Sequence, residues 1–123
     1  MSEARRPKRV AETIKKHIAE ALTRNLQDPR LAGLLVTRVE IGADLALARV
    51  FVRTLAGAAD AATQKRIEAA ANGAAPLLRV GLGEQLALRR VPELRFNYDK
   101  GQDAVDRIEE LLGEIRSEGT SKP

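Results

Sequence analysis

Six cations fall between residues 5 and 16: Arg5, Arg6, Lys8, Arg9, Lys15 and Lys16. Clustered Lys and Arg side chains favour a polyanion, because each neutralised phosphate releases condensed counterions. A second set, Arg79, Arg89 and Arg90, recurs further along. The competing reading is an ordinary solvated helix face. Other chemistries are poorly supplied. The chain has no cysteine and a single histidine, His17, which excludes disulfides, thiolate zinc sites, thiol nucleophiles and His-centred triads. Its serines, Ser2, Ser117 and Ser121, lie near the ends, and no carboxylate pair has an evident partner. No enzyme activity, metal or cofactor is therefore expected.

Charge is unevenly spread over the 123 residues. Residues 1–30 hold 8 Lys/Arg against 4 Asp/Glu, and residues 61–100 hold 7 against 4. Residues 31–60 balance at 3 against 3, whereas residues 101–123 are acidic, with 3 against 6. The net charge is +4. A polyanion is thus expected to approach one side. Only 2% of residues are aromatic and none is tryptophan, so base stacking should be minor beside recognition of backbone and shape. No apolar run approaches the roughly 18 residues of a membrane span. The charged start, without an apolar stretch behind it, predicts no secretory signal. A cytoplasmic, monomeric protein with no small-molecule substrate is expected.

Several elements must position these cations. Val10, Ile14, Ile18, Leu22 and Leu26 recur every fourth residue, one face of a helix ending before Asp28-Pro29. Arg5, Arg9 and Lys16 share its polar flank, with Lys8 and Lys15 near the other edge of the stripe. His17 near the apolar face reads as a packing residue. Two strands, 34–41 and 45–54, flank Gly42-Ala43-Asp44 as an antiparallel hairpin. Leu35, Val39 and Ile41 are expected on one face of the first strand. In the second, Ala46, Ala48, Val50 and Val52 oppose Leu47, Arg49, Phe51 and Arg53. The Arg49-Phe51-Arg53 row offers cations and a ring to nucleic acid, but reads first as an open or covered sheet face.

Asp60 is a candidate N-cap for a helix over 61–72. Asn72-Gly73-Ala74-Ala75-Pro76 then predicts a break or kink, with a new helix from Pro76 to about residue 87. A helix start at Pro76 would offer backbone N–H groups to a phosphate, with Arg79 one turn in. Val91-Pro92-Glu93 leads into a third strand in which Leu94, Phe96 and Tyr98 alternate with Arg95 and Asn97. A last helix should carry Val105, Ile108, Leu111, Leu112 and Ile115 on one face, with Asp103 and Asp106 in its first turn. One domain over 1–116 with a flexible tail at 117–123 is expected. The order predicts an α+β fold, a three-stranded sheet with helices on one face, as in KH domains of the prokaryotic type. No two glycines are three apart, so the Gly-x-x-Gly clamp of KH domains is absent.

Arg9-Val10, Asp28-Pro29-Arg30, Asp44-Leu45, Val91-Pro92-Glu93-Leu94 and Tyr98-Asp99, in that order and spacing, resemble the ribosome-binding factor A family. The resemblance spans roughly residues 6–115. It implies a KH-like fold in which a kinked Ala-x-Gly replaces the clamp; here the triplet is Ala74-Ala75-Pro76, with proline where glycine is usual. It further implies a non-enzymatic assembly factor, often needed for growth at low temperature. Its partners would be the small (30S) ribosomal subunit and 16S rRNA near the 5′ end, and it would assist late maturation. The expected RNA contacts are Arg5, Arg6, Lys8, Arg9, Lys16, Ala75, Pro76, Arg79, Arg89 and Arg90. A general KH-like RNA binder and a protein–protein adaptor remain alternatives. Asp28-Pro29-Arg30 reads first as a turn with a structural arginine.

Overall fold

The computed structural model describes residues 5–24, 29–86, 90–101 and 108–115. Helix α1 covers Arg5–Arg24 and buries Val10, Ile14, Ile18 and Leu22, the stripe its four-residue period demands. Leu26 and Asp28 lie outside the described residues. A single 3-10 turn, Pro29–Leu31, follows. Strands β1 (Leu34–Ile41) and β2 (Leu47–Thr54) pair antiparallel. Helix α2 covers Ala61–Gln85, and β3 (Glu93–Tyr98) pairs parallel to β2. A parallel partner needs a crossover, and α2 supplies it. The sheet order is β1-β2-β3, and α1 packs on β1 and α2 on β3. The result is the expected α+β, KH-like arrangement.

One face of the sheet meets the helices. Leu34, Val36, Ala48, Val50, Val52, Leu94, Phe96 and Tyr98 are buried there against Ile14, Ile18, Ile67, Leu78 and Leu82. Each large aliphatic side chain among them contributes about 1.5–3 kcal/mol by leaving water. The helices cross closely at one point: a Cβ on Gly81 would come 3.2 Å from His17 Nε2, so His17 packs as expected.

The hairpin departs from simple alternation. The register shifts between Val36 and Arg38, so Leu34 and Val36 point to the core before the bulge and Val39 and Ile41 after it. Leu35, expected beside Val39, is therefore turned to the other face and is 42% exposed. At the bulge, the Thr37 hydroxyl donates to Asp99 Oδ2 at 2.5 Å, tying β1 to the end of β3. The turn is held by the Leu45 amide on the Gly42 carbonyl and the Ala46 amide on Asp44 Oδ1. These bonds keep Leu45 at φ 57°, a left-handed conformation rare for leucine, with its side chain against the core.

Helix α2 starts where expected. Asp60 Oδ1 accepts from the Thr63 amide at 2.8 Å, and the hydrogen bonds to Thr63 hold the Asp60 carboxyl below its ordinary pKa. The helix does not stop at Asn72-Gly73. It is one element of 25 residues with Pro76 inside it, in place of two shorter helices. Tertiary bonds outweigh the local stop signal here. Asn72 Nδ2 donates to the Phe96 carbonyl at 3.0 Å, and the Phe96 amide donates back to Asn72 Oδ1 at 2.8 Å. The Tyr98 amide donates to Glu68 Oε2 at 2.9 Å. Two side chains of α2 thus cap the outer edge of β3, which would otherwise expose unpaired groups.

Residues 108–115 are helical, but Ile108, Leu111, Leu112 and Ile115 are exposed by 45–63%. The apolar face read from the sequence therefore has no cover among the described residues. Val105, Asp103 and Asp106 lie outside them.

Candidate nucleic-acid interface

On α1, Arg6, Lys8, Arg9, Lys15 and Lys16 all lie outside the buried stripe, and all five are exposed. Arg9 and Lys16 lie two turns apart on one side and line a shallow depression with Glu12 and Thr13. Glu12 sits between the two cations, a carboxylate that the sequence reading of the ridge leaves out. Of Arg5 only the helical backbone is described.

The second expected element differs from its sequence reading. Because α2 runs through Pro76, no helix N-terminus opens there, and the amides after Pro76 are committed to the helix's own ladder. The phosphate site expected on those amides is absent for that reason. What the proline does occupy is the wall of a groove of about 420 Å³ between α2 and β3. Asn72, Ala75, Pro76 and Arg79 form one side, and Glu93, Leu94 and Arg95 the other. Ala75 is at the same time part of the core. The Glu93 amide at the start of β3 donates to the Ala46 carbonyl just before β2, and the Asp99 amide just past β3 donates to the Val52 carbonyl, so by alternation the amides of Leu94, Phe96 and Tyr98 point outward. Asn72 and Glu68 take the last two, while the Leu94 edge faces the groove.

Arg79 also lines this groove, but much of its hydrogen bonding is already engaged. Its Nε donates to the Pro92 carbonyl at 3.1 Å and an Nη to the Val91 carbonyl at 2.6 Å. The planar guanidinium fork thereby fixes the buried Pro92 and the start of β3. Arg90 is exposed at the same end, and Arg89 lies outside the described residues. The α1 depression and the α2–β3 groove are separate, each lined by its own residues.

The sequence reading misses Asn72 and Arg95 as groove residues. Asn72 reads locally as a helix stop, and nothing nearby marks it as the partner of a strand 24 residues away. Arg95 reads only as the polar half of an alternating strand.

Comparison with known proteins bears on these surfaces. Residues 6–112 match the family model of ribosome-binding factor A. A relative from Sorangium cellulosum (strain So ce56), called ribosome-binding factor A, is 47% identical over 112 residues, 91% of this chain and 90% of its own. The crystal structure of ribosome-binding factor A from Thermus thermophilus superposes with a TM-score of 0.61 at 26% identity. That match covers 73% of this chain and 92% of the other. A homology model of the Thermus thermophilus factor, fitted into the cryo-electron-microscopy map of a complex with 30S, matches with a TM-score of 0.56 at 26% identity. It covers 73% of this chain and 91% of that one. With a family model over most of its length and a relative at this identity, the chain belongs to the ribosome-binding factor A family.

Proposed function

We propose that this protein is a non-catalytic factor that binds the small ribosomal subunit through 16S rRNA near its 5′ end and assists late maturation. The observation that carries the reading is the similarity to the Thermus thermophilus factor fitted into a 30S complex, across 73% of the chain. The physical support is the set of cations on α1 outside its buried stripe, Arg6, Lys8, Arg9 and Lys16, joined by Arg90. Such contacts position a protein on a phosphate backbone without reading bases. The α2–β3 groove beside Ala75 and Pro76 is the companion site, where the outward Leu94 edge offers a donor and an acceptor. The protein acts in the cytoplasm as a monomer and matters most for growth at low temperature.

Co-sedimentation with purified small subunits, large subunits and an unrelated structured RNA, across a salt series, tests this reading. Retention on the small subunit alone, weakened by salt, is the expected outcome. Equal retention on all three would reduce the protein to a general basic RNA binder. No retention at low salt would overturn the reading in favour of a protein adaptor.

A further inference from the structure

Both long helices pack on one face of the sheet, and among the described residues no element covers the other. Four arginines project from that face. Arg38 comes from β1, Arg49 and Arg53 from β2, and Arg95 from β3. The register sets Arg49 between Glu40 on one neighbour and Arg95 on the other, and pairs Arg38 with Phe51. Across three strands this row spans about 10 Å.

Three details point to a ligand for this face. First, Arg49 and Arg95 are directly opposite each other, a pairing that is unfavourable unless an anion lies between them. Second, the carboxylates nearby do not neutralise the row. Glu40 pairs with Arg38 at 3.4 Å and Glu93 with Arg95 at 3.8 Å, and all four side chains stay more than half exposed. Among the described residues, Arg38, Arg49 and Arg95 stand against two carboxylates, Glu40 and Glu93, and leave a positive face. Third, the Arg38 guanidinium lies 4.1 Å from the centre of the Phe51 ring. That contact places the guanidinium over the ring, and the Arg38 side chain, more than half exposed, remains within reach of a base.

The face is poor in apolar surface. Leu35 is its one strongly exposed large hydrophobic among the described residues, and Phe51 and Leu47 are half-buried. A docked amphipathic helix, including the acidic 108–115 with Ile108, Leu111, Leu112 and Ile115, would find arginines where it needs an apolar counterface. Guanidinium forks fit phosphate oxygens two at a time, and stacked arginine fits an unpaired base.

We infer that the open face of the sheet is a second nucleic-acid surface, on which Arg49 and Arg95 hold a phosphate of single-stranded RNA and Arg38 on Phe51 stacks a base. It lies on the side of the sheet opposite the helices, so the protein bridges two RNA segments. The inference rests on the small-subunit reading only in taking RNA as the polyanion.

The test uses the full chain and a fluorescent twelve-nucleotide uridine oligomer, with anisotropy followed across a salt series. R49A/R95A is compared with K65A/R66A, which removes the same charge from exposed positions on α2, and R49A alone, which leaves the Arg95 wall of the α2–β3 groove intact, must also weaken binding. The sheet variant is expected to bind about tenfold more weakly, with a salt slope smaller by about 0.7, the loss of one phosphate contact on a single strand. The α2 variant should stay within about twofold of the wild type. R38A should weaken binding with little change of slope, since it removes a stack in place of a phosphate contact. Unchanged affinity in R49A/R95A, or an equal loss in K65A/R66A, overturns the inference and leaves the face to an acidic protein partner. Co-sedimentation of the wild type with small subunits is read separately. Retention there with an unchanged R49A/R95A affinity sinks this surface but not the proposed function.

Discussion

The two sides of β3 are built on opposite terms. Its outer edge is closed by side chains reaching from α2: Asn72 takes both polar groups of Phe96, Glu68 takes the Tyr98 amide, and Arg79 takes the carbonyls just before the strand. Its solvent face instead presents Arg95 beside Arg49, with carboxylates only at exposed salt-bridge range. At Phe96 and Tyr98 the polar groups of the edge have partners fixed on α2. Those on the open face hold partners that water and salt weaken readily. The first arrangement secures a fold, and the second leaves charge available to a ligand.

Breaking the edge should cost the most. N72A removes both halves of a paired amide and leaves the Phe96 N–H and carbonyl unsatisfied at a partly buried edge. We expect a loss of about 2–3 kcal/mol in urea unfolding, with the denaturant slope unchanged. An unaltered midpoint would mean that water replaces the side chain there, and the contrast between edge and face would fail. R79A ranks next. Losing two charge-assisted bonds to the Val91 and Pro92 carbonyls should destabilise by about 1–2 kcal/mol, and R79K should recover only part because a lysine has no fork. The same R79A protein, assayed well below its Tm, should keep its salt slope on small subunits. A slope that falls by about one unit would return Arg79 to the phosphate-binding set and blur the contrast between edge and face.

The contrast also explains what could be read without a structure. Val10, Ile14, Ile18 and Leu22 betray α1 through their period, and Leu94, Phe96 and Tyr98 betray β3, because burial imposes a repeat on consecutive residues. Asp60 is legible as a cap because its partner, Thr63, is three residues away. Leu35 is misplaced because the bulge beside Thr37 is a decision of the pair β1–β2 and of Asp99, 62 residues on. Asn72 and Gly73 carry a genuine stop signal, overruled by bonds to Phe96 that no local pattern encodes. Several residues that make the family recognisable turn out to be structural ties. Asp44 holds Leu45 at positive φ, Pro92 is clamped by Arg79, and Asp99 holds the bulge. The cations of the candidate interface are visible as residue types. Their grouping is not, since it depends on strand register and on which helix lies over which strand.

The most direct test of the central claim, that the α1 ridge delivers the protein to the RNA of the small subunit, is the salt dependence of binding to purified small subunits for the wild type and R9A/K16A. Removing two phosphate partners should lower the slope of log affinity against log salt by about two, with Tm unchanged. A variant that binds small subunits with the wild-type slope would contradict that claim and move the interface off α1.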